Sequence, residues 1–193
     1  MATTKQDGHS ITPGLVMSTD DLLPVQIFSK MGPHVDSLYN EHDGGAGVLY
    51  LYGNYGGDVF NFDLAVDLAE LEGIETKTVL GRDDVASQPN ERKHDRRGVA
   101  GIFFAYKLAG AAAERGDSLA DVAAVAEDAV EHCATMGIGL APTILPTTGK
   151  PSFELPDGEM EIGIGIHGEP GIHRGPLETA DEIAEHLELF PEA

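Results

Sequence analysis

Basic residues are scarce in this chain. Twelve Lys and Arg stand against 33 Asp and Glu in 193 residues, a formal charge of −21. Such a surface repels a phosphate backbone, which argues against nucleic-acid binding through a basic groove. Cysteine occurs once, as Cys133, so no internal disulfide can form and a reducing, cytoplasmic location is expected. Tryptophan is absent. No apolar run approaches the ~18 residues of a membrane span, and no charged-then-apolar leader is visible, so no membrane association is expected. What is present suffices for a core: 41% of the residues are hydrophobic, which fits one α/β-sized domain.

The acid excess has two readings. One is an ordinary enzyme with extra surface carboxylate. The other is a protein adapted to high salt, where carboxylates keep the surface hydrated and salt screens their repulsion. Only six lysines in the chain favour the second.

Residues 1–30 show no hydrophobic period and contain Gly, Pro, Ser and Thr throughout, which predicts an irregular segment ahead of a domain over 31–193. A short helix is expected from Gly32 to Asn40. Gly47-Val-Leu-Tyr-Leu-Tyr52 predicts a buried strand, Gly53–Gly57 a turn, and Asp58 onward a helix with Leu64, Leu68 and Leu71 on one face, stopped by Gly73. Ile74–Leu80 predicts a second strand and completes a βαβ unit. Arg82–Arg97 reads as a polar loop, and Gly98–Arg115 as a helix of small residues. A second helix follows from Ser118, capped by its hydroxyl with Asp121 reaching back, to about Met136. Gly137–Leu145 and Met160–Ile166 are further strand candidates. An acidic helix begins near Thr179, with Glu182 in the capping-box position, and ends by Phe190. From Glu154 to Ala193 eleven carboxylates face one Arg174, so this stretch is expected to be largely solvated. The class is α/β, with a mostly parallel sheet flanked by helices.

Three places can carry chemistry. In Glu161-Ile-Gly-Ile-Gly-Ile-His-Gly-Glu-Pro-Gly171, strand alternation would put Ile162, Ile164 and Ile166 on one face and Gly163, Gly165 and His167 on the other. The glycines would then leave bare backbone for a ligand, with His167 at the strand's end, where open α/β sheets bind ligands. The bland alternative is a histidine bonding a loop carbonyl. The second place is the turn Gly53-Asn54-Tyr55-Gly56-Gly57-Asp58, whose N–H groups can hold an oxygen-rich ligand. It lacks the features of a P-loop or a dinucleotide fingerprint, so nucleotide binding is not expected there. Asp58 reads either as a helix N-cap or as an acid/base carboxylate facing the same crevice as His167. The third is His167-x-Glu169-x-x-x-His173, whose intervening Gly and Pro residues remove helical metal-ligand geometry, so no metal site is expected. His34, His42, His94, His132 and His186 read as solvent-facing and Cys133 as helix packing.

Six blocks then carry a resemblance. They are Gly47–Phe62, Asp83-Asp-Val-Ala86, Arg96-Arg-Gly-Val-Ala-Gly101, Ala109–Gly116, Gly149-Lys-Pro-Ser-Phe153 and Glu161–Gly171. Their order resembles that in the substrate-binding subunit, DhaK, of dihydroxyacetone kinases, from about Gly14 to Ile183. The version Tyr52-Gly53-Asn54-Tyr55-Gly56-Gly57-Asp58 is most similar to the branch associated with four-carbon ketoses, where Gly53 replaces a lysine. The resemblance implies that His167 adds a ring nitrogen to the ketone carbon as a hemiaminal, while Asp58 accepts or shares the proton of the hydroxyl being phosphorylated. It implies substrate contacts at Gly8, Gly53, Asn54, Gly57 and Asp58, and a second acid/base role for His9. Here only Gly8-His9 remains of the family's glycine-rich turn, with Lys5-Gln6-Asp7 where glycines belong. The ketose would be dihydroxyacetone (glycerone) or erythrulose. The donor would be ATP with magnesium, or a phosphoprotein, on a nucleotide-binding DhaL-type partner, with no cofactor on this chain. Whether the chain forms a homodimer stays open. Against the family, the chain resembles the middle of the subunit, shortened at both ends. The alternatives to a kinase component are a non-catalytic ketose-binding or regulatory module and a remnant that cannot fold alone.

Overall fold

The computed structural model describes residues 14–17, 46–142, 144, 148–151 and 153–188. The expected helix at 32–40 lies outside the described residues. The central strand β2, Val48–Gly53, is sandwiched between β1, Gly14–Met17, and β3, Thr76–Gly81, with both pairings parallel. β1 falls within the segment read as irregular: its four residues are too few to show a period, and only pairing against β2 makes them a strand.

Val48, Leu49, Tyr50, Leu51 and Tyr52 are all at most 1% exposed, as expected for a strand covered on both faces. On one face Val48, Tyr50 and Tyr52 pack on Phe62, Ala65 and Ala69 of α1, Gly56–Leu71. On the other, Leu49, Leu51 and Val79 meet alanines of α2, Ile102–Glu114, and α3, Leu119–Glu131. Ala105, Ala109 and Ala112 recur at helical spacing along α2 and let its backbone approach closely.

The predicted apolar face of α1 is not its core face. Leu64 and Leu71 are 49% and 84% exposed, and the stripe turned to the sheet is Asp58, Phe62, Ala65 and Ala69. Of the predicted face only Leu68 packs against this cluster; Phe62 and two alanines fill the contact with the tyrosines.

The C-terminal part forms a separate antiparallel sheet of β4, Ile138–Gly139, β5, Glu159–Ile162, and β6, His173–Pro176. Helix α4, Ala180–Glu188, follows. Its capping box is formed: the Thr179 N–H donates to Glu182 Oε2 at 2.8 Å and the Glu182 N–H to Thr179 Oγ1 at 3.4 Å. Ser118 caps α3, its hydroxyl accepting from the Asp121 N–H at 3.2 Å and donating to Asp121 Oδ2 at 2.6 Å.

Two predicted strands are shorter than expected. Of the described residues in Gly137–Leu145, Ile138–Gly139 form a strand. β5 stops at Ile162 because Gly163 adopts φ +81°, which no strand continues through. Alternation therefore fails beyond it: Ile162 and Ile164 are buried, while Ile166 is 43% exposed.

Candidate functional site

The loop between β3 and α2 is a knot of internal hydrogen bonds. The Asp83 carboxylate receives the N–H groups of Val99 and Gly101, at 3.0 and 2.8 Å, and the Thr135 hydroxyl. Arg96 is buried, donating to the Gln88 carbonyl at 2.9 Å and to Asn90 Oδ1 at 2.8 Å. Arg97 donates through Nε to Asp84 Oδ2 at 2.8 Å and through Nη2 to the Gly163 carbonyl at 3.0 Å. That last bond ties the parallel sheet's loop to the turn carrying His167. Asp84 is fully buried; burial pushes its carboxyl up, and the Arg97 charge only partly opposes this.

Glycines make this crowding feasible. A Cβ on Gly98 would stand 2.6 Å from the Gly81 carbonyl oxygen and 2.8 Å from Gly53 Cα. The ends of β2 and β3 thus touch the segment after Arg97 through bare backbone.

The turn Gly53–Asp58 leads into α1. Asn54 donates its amide to the Arg96 carbonyl at 2.8 Å and the His94 carbonyl at 3.3 Å, so it tethers the loop. Gly56 and Gly57 are exposed. Tyr55 is the cap of α1, without a side-chain cap bond, and Asp58 lies in the first helical turn; the N-cap reading of Asp58 is therefore corrected. Asp58 is 5% exposed. Its carboxylate acts on Tyr52, whose phenol is pushed well up by burial first and by the nearby Asp63 and Asp58 charges next. Tyr52 in turn stacks on Phe62 at 4.2 Å between centroids.

His167 comes to this turn from the other side. Its ring stands perpendicular to Tyr55, 4.6 Å between centroids, and its side chain is 32% exposed. Nδ1 lies 3.0 Å from Glu169 Oε1, and the His167 N–H donates to Glu169 Oε2 at 3.0 Å. At Nδ1 the ring thus faces a carboxylate two residues on. Burial pushes the Glu169 carboxyl up, but hydrogen bonds from its own N–H and from the ring and N–H of His167 outweigh this and hold it below its ordinary value.

The expected open glycine face is corrected. The chain itself occupies it: a Cβ on Gly165 would lie 2.1 Å from Glu169 Oε2 and 2.5 Å from Arg97 Nη1, and one on Gly163 2.8 Å from the Ala86 methyl. The residues missed from sequence are thus Asp83, Asp84, Arg97 and Glu169. Glu169 was within reach, since it lies in the same motif as His167. Nothing local marks the Asp84–Arg97 pairing, made across 13 positions. Gly8 and His9 lie outside the described residues. Among the described residues no cluster of three His, Cys, Asp or Glu could hold a metal ion, and no helix is long and apolar enough to cross a membrane. The start of α1 is a poor phosphate site, since the buried Asp58 already faces the dipole there.

Comparison with known proteins places this arrangement in a family. The chain is 48% identical over 145 residues to the PTS-dependent dihydroxyacetone kinase 2, dihydroxyacetone-binding subunit DhaK, of Listeria innocua, covering 75% of this chain and 43% of that one. It is 44% identical over 146 residues to the L-erythrulose kinase of Pectobacterium atrosepticum, covering 76% and 25%. It therefore spans less than half the length of either relative. The dihydroxyacetone kinase from C. freundii in complex with AMP-PNP and Mg2+ superposes with a TM-score of 0.77 at 25% identity, over 98% of this chain and 39% of that one. The dihydroxyacetone kinase operon co-activator Dha-DhaQ gives 0.71 at 31% identity, over 80% and 47%. The family model of the Dak1 domain matches residues 26–189, and with the relatives just named it establishes that this chain belongs to the Dak1 family.

Proposed function

We propose that this chain is the ketose-binding part of a dihydroxyacetone or erythrulose kinase, with His167 holding the ketone covalently as a hemiaminal. One observation carries the reading: a partly exposed imidazole, engaged at Nδ1 by a carboxylate, stands against Tyr55 of the turn that also bears the buried Asp58. A neutral imidazole is a competent nucleophile near neutral pH. Covalent capture separates ketones from alcohols that pocket contacts alone discriminate poorly. The names of the relatives supply the ketose class, dihydroxyacetone or erythrulose.

In this mechanism the Nε2 lone pair forms a bond to the carbonyl carbon and the carbonyl oxygen takes a proton. Asp58 accepts the proton of the terminal hydroxyl as it attacks the donor's phosphorus. His9, outside the described residues, is the second acid/base candidate. The phosphoryl donor, ATP with magnesium or a phosphoprotein, is held by a nucleotide-binding partner of the DhaL type. This chain binds, orients and deprotonates; the partner supplies the phosphoryl group.

The test is direct. Adding [2-13C]dihydroxyacetone or erythrulose should give a tetrahedral carbon signal and an intact-mass adduct, both lost in His167→Ala. No adduct on folded wild-type protein would refute the reading.

A second reading has its own support. The fold also serves an operon co-activator, so a non-catalytic ketose-binding regulator of the same family is a real competitor. Mixing the chain with an active nucleotide-bearing partner and ATP separates them: ketose phosphate marks a kinase component, and adduct without turnover marks a regulator. The charge of −21 further supports adaptation to high salt, where Tm should climb steeply from millimolar to molar KCl.

A further inference from the structure

We propose that Glu169 is the positioning residue of His167: its carboxylate fixes the ring as the Nδ1–H tautomer, turns the Nε2 lone pair toward the substrate, and balances the charge the ring gains on bonding. The inference rests on the hemiaminal reading and adds to it the group that makes this imidazole a nucleophile.

The geometry is specific. Each oxygen of the carboxylate has its own task, Oε1 at the ring's Nδ1 and Oε2 at the backbone N–H of the same residue, both at 3.0 Å. One carboxylate therefore clamps the imidazole and the main chain that carries it. Because the hydrogen bonds around it keep Glu169 ionised, it can only accept, and Nδ1 must be the donor. In the neutral ring the lone pair is then on Nε2.

The carboxylate is held from behind. Arg97 Nη1 stands 4.0 Å from Glu169 Oε2, while the rest of its guanidinium is committed to Asp84 and the Gly163 carbonyl. Gly165 leaves the room this requires, as its missing Cβ would overlap both Glu169 and Arg97. Gly168, at φ +85°, lets the chain turn tightly enough for residue 169 to reach back to residue 167.

The chemical step uses this pairing. As the Nε2 lone pair bonds to the ketone carbon, the carbonyl π pair moves to oxygen, which takes a proton from solvent. The ring becomes an imidazolium with its proton still on Nδ1, facing Glu169. A carboxylate on that proton stabilises the cation, as the aspartate of a serine-protease triad does for its histidine.

A single substitution exposes the role. In Glu169→Gln one side-chain oxygen must serve two donors, the ring N–H and the backbone N–H. With the oxygen kept by the backbone, the amide NH2 faces Nδ1 and donates to it. That flips the ring to the Nε2–H tautomer, which has no lone pair to offer the ketone. The comparable aspartate-to-asparagine change in the protease triad costs ~10⁴ through the wrong tautomer.

The experiment uses the full chain with 15N-labelled histidine, in wild-type, E169Q and E169A forms. Ring 15N shifts report the tautomer of His167, and [2-13C]dihydroxyacetone reports adduct yield; amide spectra confirm that each variant is folded. Wild type should show the Nδ1–H tautomer. E169Q should show the Nε2–H tautomer and lose adduct by roughly 10²–10⁴-fold. E169A, free to sample both tautomers, should lose less, about 10-fold. A merely structural clamp predicts the reverse order, since Gln fills the space and Ala does not. An E169Q variant that keeps the Nδ1–H tautomer, or E169A more impaired than E169Q, would overturn the proposal. If wild-type protein forms no adduct, the hemiaminal reading falls, while the tautomer difference between wild type and E169Q still decides the role of Glu169.

Discussion

The two sheets of this molecule are held by different forces. The parallel sheet is an apolar sandwich: β2 is buried on both faces, and alanine-faced helices close over it. The region from Gly137 onward has little such core, with Met160, Ile162 and Ile164 its only buried large hydrophobics among the described residues. Charge-assisted bonds hold it together: Glu161 takes the Gly171 N–H and the Arg174 guanidinium, both at 2.5 Å, and Arg97 binds Asp84 and the Gly163 carbonyl. His167 sits in the second region and Asp58 in the first, with Tyr55 packed on the His167 ring between them. The lesson is a division of labour. An apolar layer fixes the turn that bears Asp58, and a polar loop locked by ion pairs carries His167.

The largest effect should come from breaking the apolar side. Leu51→Ala, at a fully buried position, should cost about 2–5 kcal/mol by denaturant titration, with little dependence on salt or pH. Next is the tie between the regions. Arg97→Ala strands the buried Asp84 and should cost about 3 kcal/mol, capped because Asp84 escapes by taking up a proton. It should also loosen Glu169 and lower ketone adduct, so stability and binding fall together.

Acid should act on the polar region first. The Gly171 N–H foremost, and Arg174 next, hold the Glu161 carboxyl below its usual value of 4.5. Its stabilising contribution is complete above pH 4.5 and is lost as pH falls through its lower folded value. Asp84 has the opposite sign: its raised pKa makes its ionised form costly, so protonation relieves it. Glu161→Gln should therefore flatten the acid limb of the stability curve, by about 1–2 kcal/mol, in equilibrium unfolding between pH 5 and 2.5. The smallest effect sharpens the contrast from the apolar side: Ser118→Ala removes the cap of α3 and should cost about 1 kcal/mol, leaving adduct formation unchanged.

Much of the parallel sheet was legible from local pattern. The run Val48–Tyr52, the Gly73 stop and the Ser118 and Thr179 caps are signals a few residues long, and the structure bears them out. The core face of α1 was legible only at Leu68, because Phe62 and two alanines pack against the tyrosines while Leu64 and Leu71 stay outside. β5 was overextended since alternating Ile and Gly satisfies a strand pattern that the positive φ at Gly163 ends. The site was half visible. His167 and Asp58 stand in recognisable motifs, but the loop read simply as polar buries Asp83, Asp84 and Arg96, and its Arg97 reaches Gly163 across 66 positions.

Sequence alone determined the buried run of β2, the caps at Ser118 and Thr179, and which imidazole stands beside glycines, because these depend on neighbours within a few residues. Tertiary structure alone decided what that imidazole faces. The guanidinium behind its carboxylate and the aromatic ring across from it come from positions 70 and 112 residues away, and those contacts depend on distance in space, not along the chain.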